Sequence, residues 1–289
     1  MQAEHLSIPA SRIPVEASCW SAPGAAATVI LHPATAVTQA YYAPFAAWLA
    51  ERGFNVVTYD YRGTGRSRPH SLRGFKASMS DWIDKDVAAV TRWAEERFPG
   101  SPLLAVGHSV GGHAIGLSPE TARLRAAVLV ASHAGASRTV RGFGERLRVL
   151  APLLCALFGY MPGRRIGLGE DLPRGVMLQW ARWTALPRYF FDDPALDAAR
   201  RMARVDIPLL VLGFDDDPWA NPVAVDMLVS HLSNAQLERR NIDPRAAGVP
   251  AAGHMGFFRR RCEAALWPQV ADWLHARAAQ AREVAHGAR

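Results

Sequence analysis

The chain has 289 residues, of which 49% are hydrophobic and 20% charged, a composition suited to one large α/β domain with an insertion. It contains no run of about 20 apolar residues, which excludes a stable membrane span. The net charge of +7 and an isoelectric point near 9.8 come almost wholly from arginine, since Lys76 and Lys85 are the only lysines. The arginines are spread along the chain. Their densest groups, Arg164–Arg165, Arg239–Arg240 and Arg259–Arg261, carry no interleaved aromatic motif, which argues against nucleic-acid binding. An anionic substrate or a transient contact with a membrane surface stays open, because arginine presents a fork suited to carboxylate or phosphate. Cys19, Cys155 and Cys262 are far apart and odd in number, so they suggest neither a disulfide framework nor a metal site. The start Met1–His5 lacks the basic and apolar regions of a signal peptide, and the expected location is cytoplasmic.

In chain order, apolar strands are expected at Ala27–Leu31 and Asn55–Tyr59, with an amphipathic helix at Tyr42–Arg52 between them that stops at Gly53. A second helix spans Asp81–Phe98, with Trp82, Val87, Val90 and Trp93 on one stripe and Pro99–Gly100 as its stop. Further strands follow at Leu103–Gly107, Ala126–Ser132, Pro208–Gly213 and near Ala235–Asn241. Strands alternating with helices, most of them wholly apolar, predict a mostly parallel sheet covered on both faces. The stretch 134–204 is too long for an ordinary connection, and its helical patterns predict an inserted cap on a core formed by 1–133 and 205–289. Trp180, Trp183 and the run Tyr189–Phe191 give that insertion its aromatic content, and Met161 and Met177 would add adaptable surface. The end, Ala276–Arg289, reads as a frayed helix or disordered tail.

The most specific chemistry lies at Gly107-His108-Ser109-Val110-Gly111, entered from the apolar run Leu103–Val106. A serine flanked by glycines two residues away on either side, between a strand and a helix, matches a nucleophile elbow: the sharp turn leaves no room for side chains at the flanks. The strand Ile207–Gly213 runs into the carboxylates Asp215, Asp216 and Asp217, followed by Trp219. Gly253-His254-Met255-Gly256 then places a histidine on a glycine-flanked loop before the last helix. Nucleophile, acid and base thus occur in the order of an α/β serine hydrolase, each after a strand.

At these residues the chain resembles the α/β-hydrolase superfamily, over most of its length. Ile30–Thr35 is similar to the family's oxyanion loop, with Pro33 where a glycine is usual, and Asp60-Tyr61-Arg62-Gly63-Thr64-Gly65-Arg66-Ser67 resembles its structural D-x-R-G-x-G-x-S loop. Together with Gly213–Ala220 and Gly253–Phe258 these place the resemblance in a bacterial subgroup of hydrolases near the serine-aminopeptidase and monoacylglycerol-lipase-like branch. The resemblance implies Ser109 as nucleophile, His254 as base and the backbone amides of Ala34 and Val110 as oxyanion donors. Counting from Gly213 gives Asp216 as the acid, with Asp217 the alternative; Asp215 points to the other side on strand alternation.

The reading is a capped α/β-hydrolase cleaving a carboxylic ester or thioester of an apolar small molecule through an acyl-enzyme, with no cofactor and no metal. Acyl transfer to another acceptor, peptidase activity, or a silent ligand-binding protein that keeps the fold are the alternatives. A peptidase would draw on Glu170 or Asp171 to hold the substrate's amine. His108, Trp180, Trp183 and Trp219 are the candidate pocket residues, and a homodimer through a sheet edge or the cap stays open.

Overall fold

The computed structural model describes residues 1–136, 139 and 143–287, without the side chains of 143–145 and 284–287. Ser137, Arg138, Val140, Arg141 and Gly142 of the expected insertion, and Ala288 and Arg289 of the expected tail, lie outside the described residues.

The chain builds one eight-stranded sheet. Its strands are β1 (Glu4–Ile8), β2 (Val15–Trp20), β3 (Ala27–His32), β4 (Phe54–Tyr59), β5 (Leu103–His108), β6 (Leu124–Val130), β9 (Pro208–Phe214) and β10 (Gln236–Ile242). They lie in the order β1-β2-β4-β3-β5-β6-β9-β10. From β4 to β10 all neighbours are parallel, while β1 and β2 form an antiparallel extension that joins β4. That extension was not expected, because the apolar side of β1 is short. β3, β4 and β5 are buried along their whole length, as their largely apolar sequences require for a sheet covered on both faces. β10 alternates exposed and half-buried residues, as suits an edge.

Helices cover both faces: α1 (Ala43–Ala50), α2 (Met79–Asp81) passing through a π-helical segment (Trp82–Val87) into α3 (Ala88–Arg97), α4 (Val110–Leu117), α8 (Pro222–Val229) and α9 (Glu263–Gly287). Ser78 and Asp81 close a reciprocal cap on α2, and Asn221 caps α8 ahead of Pro222. The last helix continues to Gly287 rather than fraying near Ala276. Between β6 and β9 the chain leaves the sheet to form α5 (Phe143–Phe158), the antiparallel pair β7 (Tyr160–Met161) and β8 (Leu172–Pro173), α6 (Arg174–Ala185) and α7 (Ala198–Met202). No helix among the described residues is long and apolar enough to cross a membrane.

The D-x-R-G-type loop acts as a brace. Asp60 accepts from the amides of Gln39 and Arg66 and from the Gln39 side chain. Arg62 forms a fully buried ion pair with Asp86 at 2.6 Å. Both interactions tie the loop after β4 to neighbouring elements beneath the site.

Candidate active site

Ser109 sits between β5 and α4 with φ 53° and ψ −112°, a strained conformation for a residue with a side chain. Its flanks explain the glycines. A Cβ on Gly107 would lie 2.4 Å from the Gly111 carbonyl carbon, one on Gly111 2.1 Å from the His32 carbonyl oxygen, and one on Gly112 2.0 Å from Ser132 Oγ. The turn therefore packs backbone against backbone, and its strain is held by the sheet, where the Ser109 amide donates to the Val130 carbonyl at 2.9 Å.

His254 Nε2 lies 3.0 Å from Ser109 Oγ, and its Nδ1 lies 2.9 Å from Asp217 Oδ2. A carboxylate only accepts, so Nδ1 carries the proton given to Asp217, which leaves the Nε2 lone pair of the neutral ring facing the serine hydroxyl. Asp217 is buried; burial alone would raise its pKa, but the bond and charge of His254 and the amides of Ala220 and Trp219 outweigh it and hold the carboxyl below its usual range. The carboxylate that meets the histidine is thus Asp217 and not Asp216. Asp216 is exposed, and its two oxygens accept from the amides of Ala252 at 2.9 Å and Gly253 at 2.7 Å. It clamps the histidine loop to the acid loop. The turn after β9 brings Asp217 inward because its amide closes onto the Phe214 carbonyl at 3.0 Å, one residue beyond the position that counting from Gly213 gave. Asp215 bonds Asn241 on the β10 side.

The expected oxyanion donors divide. Val110 is the first residue of α4 and so has no intrahelical partner for its amide; it lines the cavity beside Ser109. The Ala34 amide, by contrast, donates to the Tyr42 hydroxyl at 2.8 Å, which takes up the hydrogen that an oxyanion would need. That hydroxyl belongs to a chain whose direction can be worked out. Burial pulls the His108 pKa down to about 3, so the ring is neutral. Its Nε2 must donate to the His254 carbonyl at 2.8 Å, so its Nδ1 accepts from Tyr42 Oη at 2.8 Å. The oxyanion loop is thereby wired through Tyr42 and His108 to the backbone of the histidine loop. His108 is not a pocket residue but part of this support, behind the site.

Above Ser109 lies a cavity of about 550 Å³. Its floor holds Ser109, Val110, His254 and His133; Ala34, Thr35, Ala36, Val37 and Tyr41 form one wall, and Leu168, Trp180 and Tyr189 of the insertion another. Trp180 and Trp219 line it as expected candidates, the Trp219 ring 4.8 Å from that of His254. Trp183 does not: it is fully buried and donates to Asp193 at 2.6 Å, holding the insertion together. Met161 and Met177 are likewise buried away from the cavity. Tyr41, Tyr42, His133 and Arg259 escaped the sequence reading. His133 follows β6 at a position where the β–α rule could have raised it, whereas Tyr41, Tyr42 and Arg259 carry no local signal.

Glu170 is the only carboxylate among the described residues lining this cavity. It pairs with Arg164 at 2.5 Å and lies 3.8 Å from Arg68, and Asp171 pairs with Arg68 at 2.8 Å. Both acids are therefore neutralised, Glu170 by Arg164 of the insertion and Asp171 by Arg68 of the loop after β4. Cys19, Cys155 and Cys262 are buried and free. Among the described residues, no three His, Cys, Asp or Glu side chains converge as a metal site.

A model of the family described as serine aminopeptidase, S33, matches residues 23–166. Solved structures share the fold at low identity. A soluble variant of monoglyceride lipase from Saccharomyces cerevisiae is 13% identical, with 96% of each chain covered and a TM-score of 0.66. The monoacylglycerol lipase of Paleococcus ferrophilus is 16% identical over 91% of this chain and 99% of that one, with a TM-score of 0.61. Proline iminopeptidase of Mycobacterium smegmatis is 18% identical over 96% and 100%, with a TM-score of 0.60. With the parallel sheet, the elbow and the insertion before β9, these findings show an α/β-hydrolase fold similar to that of the serine-aminopeptidase and monoacylglycerol-lipase branch.

Proposed function

We propose that the protein is a serine hydrolase that cleaves a carboxylic ester or thioester of a largely apolar small molecule through an acyl-enzyme. The observation that carries this reading is the chain Ser109–His254–Asp217, with links of 3.0 and 2.9 Å, opening onto a cavity walled mostly by apolar side chains. As the Ser109 hydroxyl attacks the acyl carbon, its proton passes to His254 Nε2, and Asp217 stabilises the imidazolium that forms. The leaving group departs with that proton, and water repeats the sequence on the acyl-enzyme. The amide of Val110, at the positive end of α4, faces the developing oxyanion; one such donor contributes roughly 3–4 kcal/mol of barrier lowering. The Ala34 amide becomes a second donor only when released from Tyr42.

Peptidase activity on a free amino terminus is the weaker reading, because Glu170, the one carboxylate among the described residues lining the cavity, already belongs to Arg164 and Arg68. Relatives in fold include both lipases and an iminopeptidase, so fold alone does not choose. The test is labelling with a fluorophosphonate probe, with Ser109→Ala and His254→Ala in parallel. Prompt labelling that vanishes in Ser109→Ala and slows strongly in His254→Ala is expected. A folded wild-type protein that fails to label would overturn the reading and favour a ligand-binding role.

A further inference from the structure

Among the described residues, the cavity carries one positive charge that nothing in its wall balances. Arg164 and Arg259 are the two arginines among the described residues that line it. Arg164 is held by both oxygens of Glu170. Arg259, five residues after the base, has no carboxylate within ion-pair distance among the described residues. Its neighbours Arg260 and Arg261 differ: Arg260 pairs with Glu263 at 3.1 Å, and Arg261 bonds Cys262. Neither lines the cavity.

Arg259 is also positioned. Its guanidinium bonds the hydroxyl of Tyr41, which itself donates to the carbonyl of Met255, the residue after His254. Tyr41 and Met255 both line the cavity. A guanidinium has five N–H donors in a rigid plane, and the single tyrosine oxygen uses few of them. The remaining fork matches a carboxylate, which offers two oxygens in one plane. One uncompensated cation suits a monoanion, whereas a phosphate dianion would call on Arg164, already taken by Glu170.

We infer that the substrate is an ester or thioester bearing a carboxylate remote from the scissile bond, and that Arg259, presented by Tyr41, is the residue that selects it. This deepens the hydrolase reading and rests on it. Most of the wall's surface is apolar, with Val37, Leu168, Trp180 and Trp219 in it, so an apolar stretch separates reacting carbonyl and acid, and the cavity reads one end by hydrophobic contact and the other by charge.

The test compares matched esters: mono-4-nitrophenyl glutarate, adipate and suberate against the 4-nitrophenyl alkanoates of equal chain length, and 4-acyloxybenzoates against the corresponding phenyl esters, so that the acid is offered on either side of the bond. The expected result is a kcat/KM ratio, anionic over neutral, of about tenfold or more in one of the two sets at low salt, shrinking as ionic strength rises. In Arg259→Gln the ratio falls toward one, in Arg259→Glu it inverts, and in Arg260→Gln it keeps the wild-type value. Fluorophosphonate labelling of each variant reports separately on Ser109. Ratios near one in the wild type in both sets, or a ratio unmoved by Arg259→Gln, overturn the inference while leaving the hydrolase reading intact. Where no ester is turned over and Ser109 does not label, the hydrolase reading fails. Calorimetric titration of Ser109→Ala with monomethyl suberate and methyl octanoate, with and without Arg259→Gln, then decides Arg259 alone: a preference for the acid that Arg259→Gln removes supports it, and no preference refutes it.

Discussion

The two sides of the cavity are held together by different means. On the sheet side, loops far apart in sequence meet through short bonds that leave little freedom: Ser109 to His254, His254 to Asp217, His108 to the His254 carbonyl, Asp216 to the Ala252 and Gly253 amides. On the insertion side, aromatic rings pack on one another, as Trp183 does on Tyr189 and Phe190, and charges are paired near solvent, as in Arg164 with Glu170. The first arrangement holds Ser109, His254 and Asp217 in a fixed relation, as the proposed acyl chemistry would require. The second fixes a shape whose individual side chains can change without dismantling the chemistry.

The sharpest way to break that contrast is the pair of neighbouring aspartates. Asp217→Asn keeps the volume but removes the charge and favours the wrong imidazole tautomer; kcat/KM on an activated ester should fall by on the order of 10³–10⁴. Asp216→Asn retains one acceptor for the Ala252 and Gly253 amides and should lose about tenfold or less, since it acts through the loop rather than on the ring. Steady-state kinetics on both variants, with circular dichroism to confirm folding, decides. Equal losses would mean that the loop clamp matters as much as the charge of Asp217, and the sheet side would not be the rigid device described.

The same residues show how much could be read without coordinates. Ser109 and His254 were legible because the backbone packs so closely around them that glycine is obligatory: Gly111 against His32, and Gly256, where a Cβ would sit 2.2 Å from the Ala252 carbonyl oxygen. Such constraints leave a mark in the sequence. The choice between Asp216 and Asp217 left none, because it depends on a turn that closes one residue later than counting suggests. Ala34 was placed on the right loop, but its amide is spent on Tyr42, a residue ten positions from His32 whose role arises only from the fold. On the insertion side, Trp180 and Trp183 are three apart on one helix, yet one lines the cavity and the other is core. Composition could not separate them, since both are apolar rings with one donor.

Acid should separate the two sides as well. His32, His108, His113 and His133 are buried, and burial depresses their pKa values to about 3, 3, 4 and 3. In the unfolded chain each titrates near 6.5. Between those values the unfolded state binds more protons than the folded one, so stability is lost as pH falls below about 6.5, at up to roughly 1.4 kcal/mol per pH unit for each ring. Asp217, held below the usual carboxyl range, adds its loss only at still lower pH. No histidine occurs between Ala134 and Arg204, so the destabilisation belongs to the sheet side. Asp86, raised to about 6 by burial, opposes part of this, so urea midpoints measured from pH 7.5 to 4.5 should fall below 6.5 and His113→Gln should flatten that fall. A profile flat to pH 5 would show that these rings are not kept neutral.

The smallest effect is expected where the insertion meets the substrate. Trp180 lines the cavity and bonds Tyr189, so Trp180→Ala enlarges the apolar wall without touching Ser109, His254 or Asp217. The rate of fluorophosphonate labelling with a small probe should change little. The ester chain length giving the highest kcat/KM should move upward, with selectivity between short and long acyl groups shifting by about tenfold, the scale of one or two methylene contacts in a hydrophobic pocket. A loss of labelling comparable to that of Asp217→Asn would instead mean that the insertion helps to set the geometry of the nucleophile. The division of labour between the two walls would then fail where it is most easily tested, because the side chain removed belongs to the insertion and lies outside the chain Ser109–His254–Asp217.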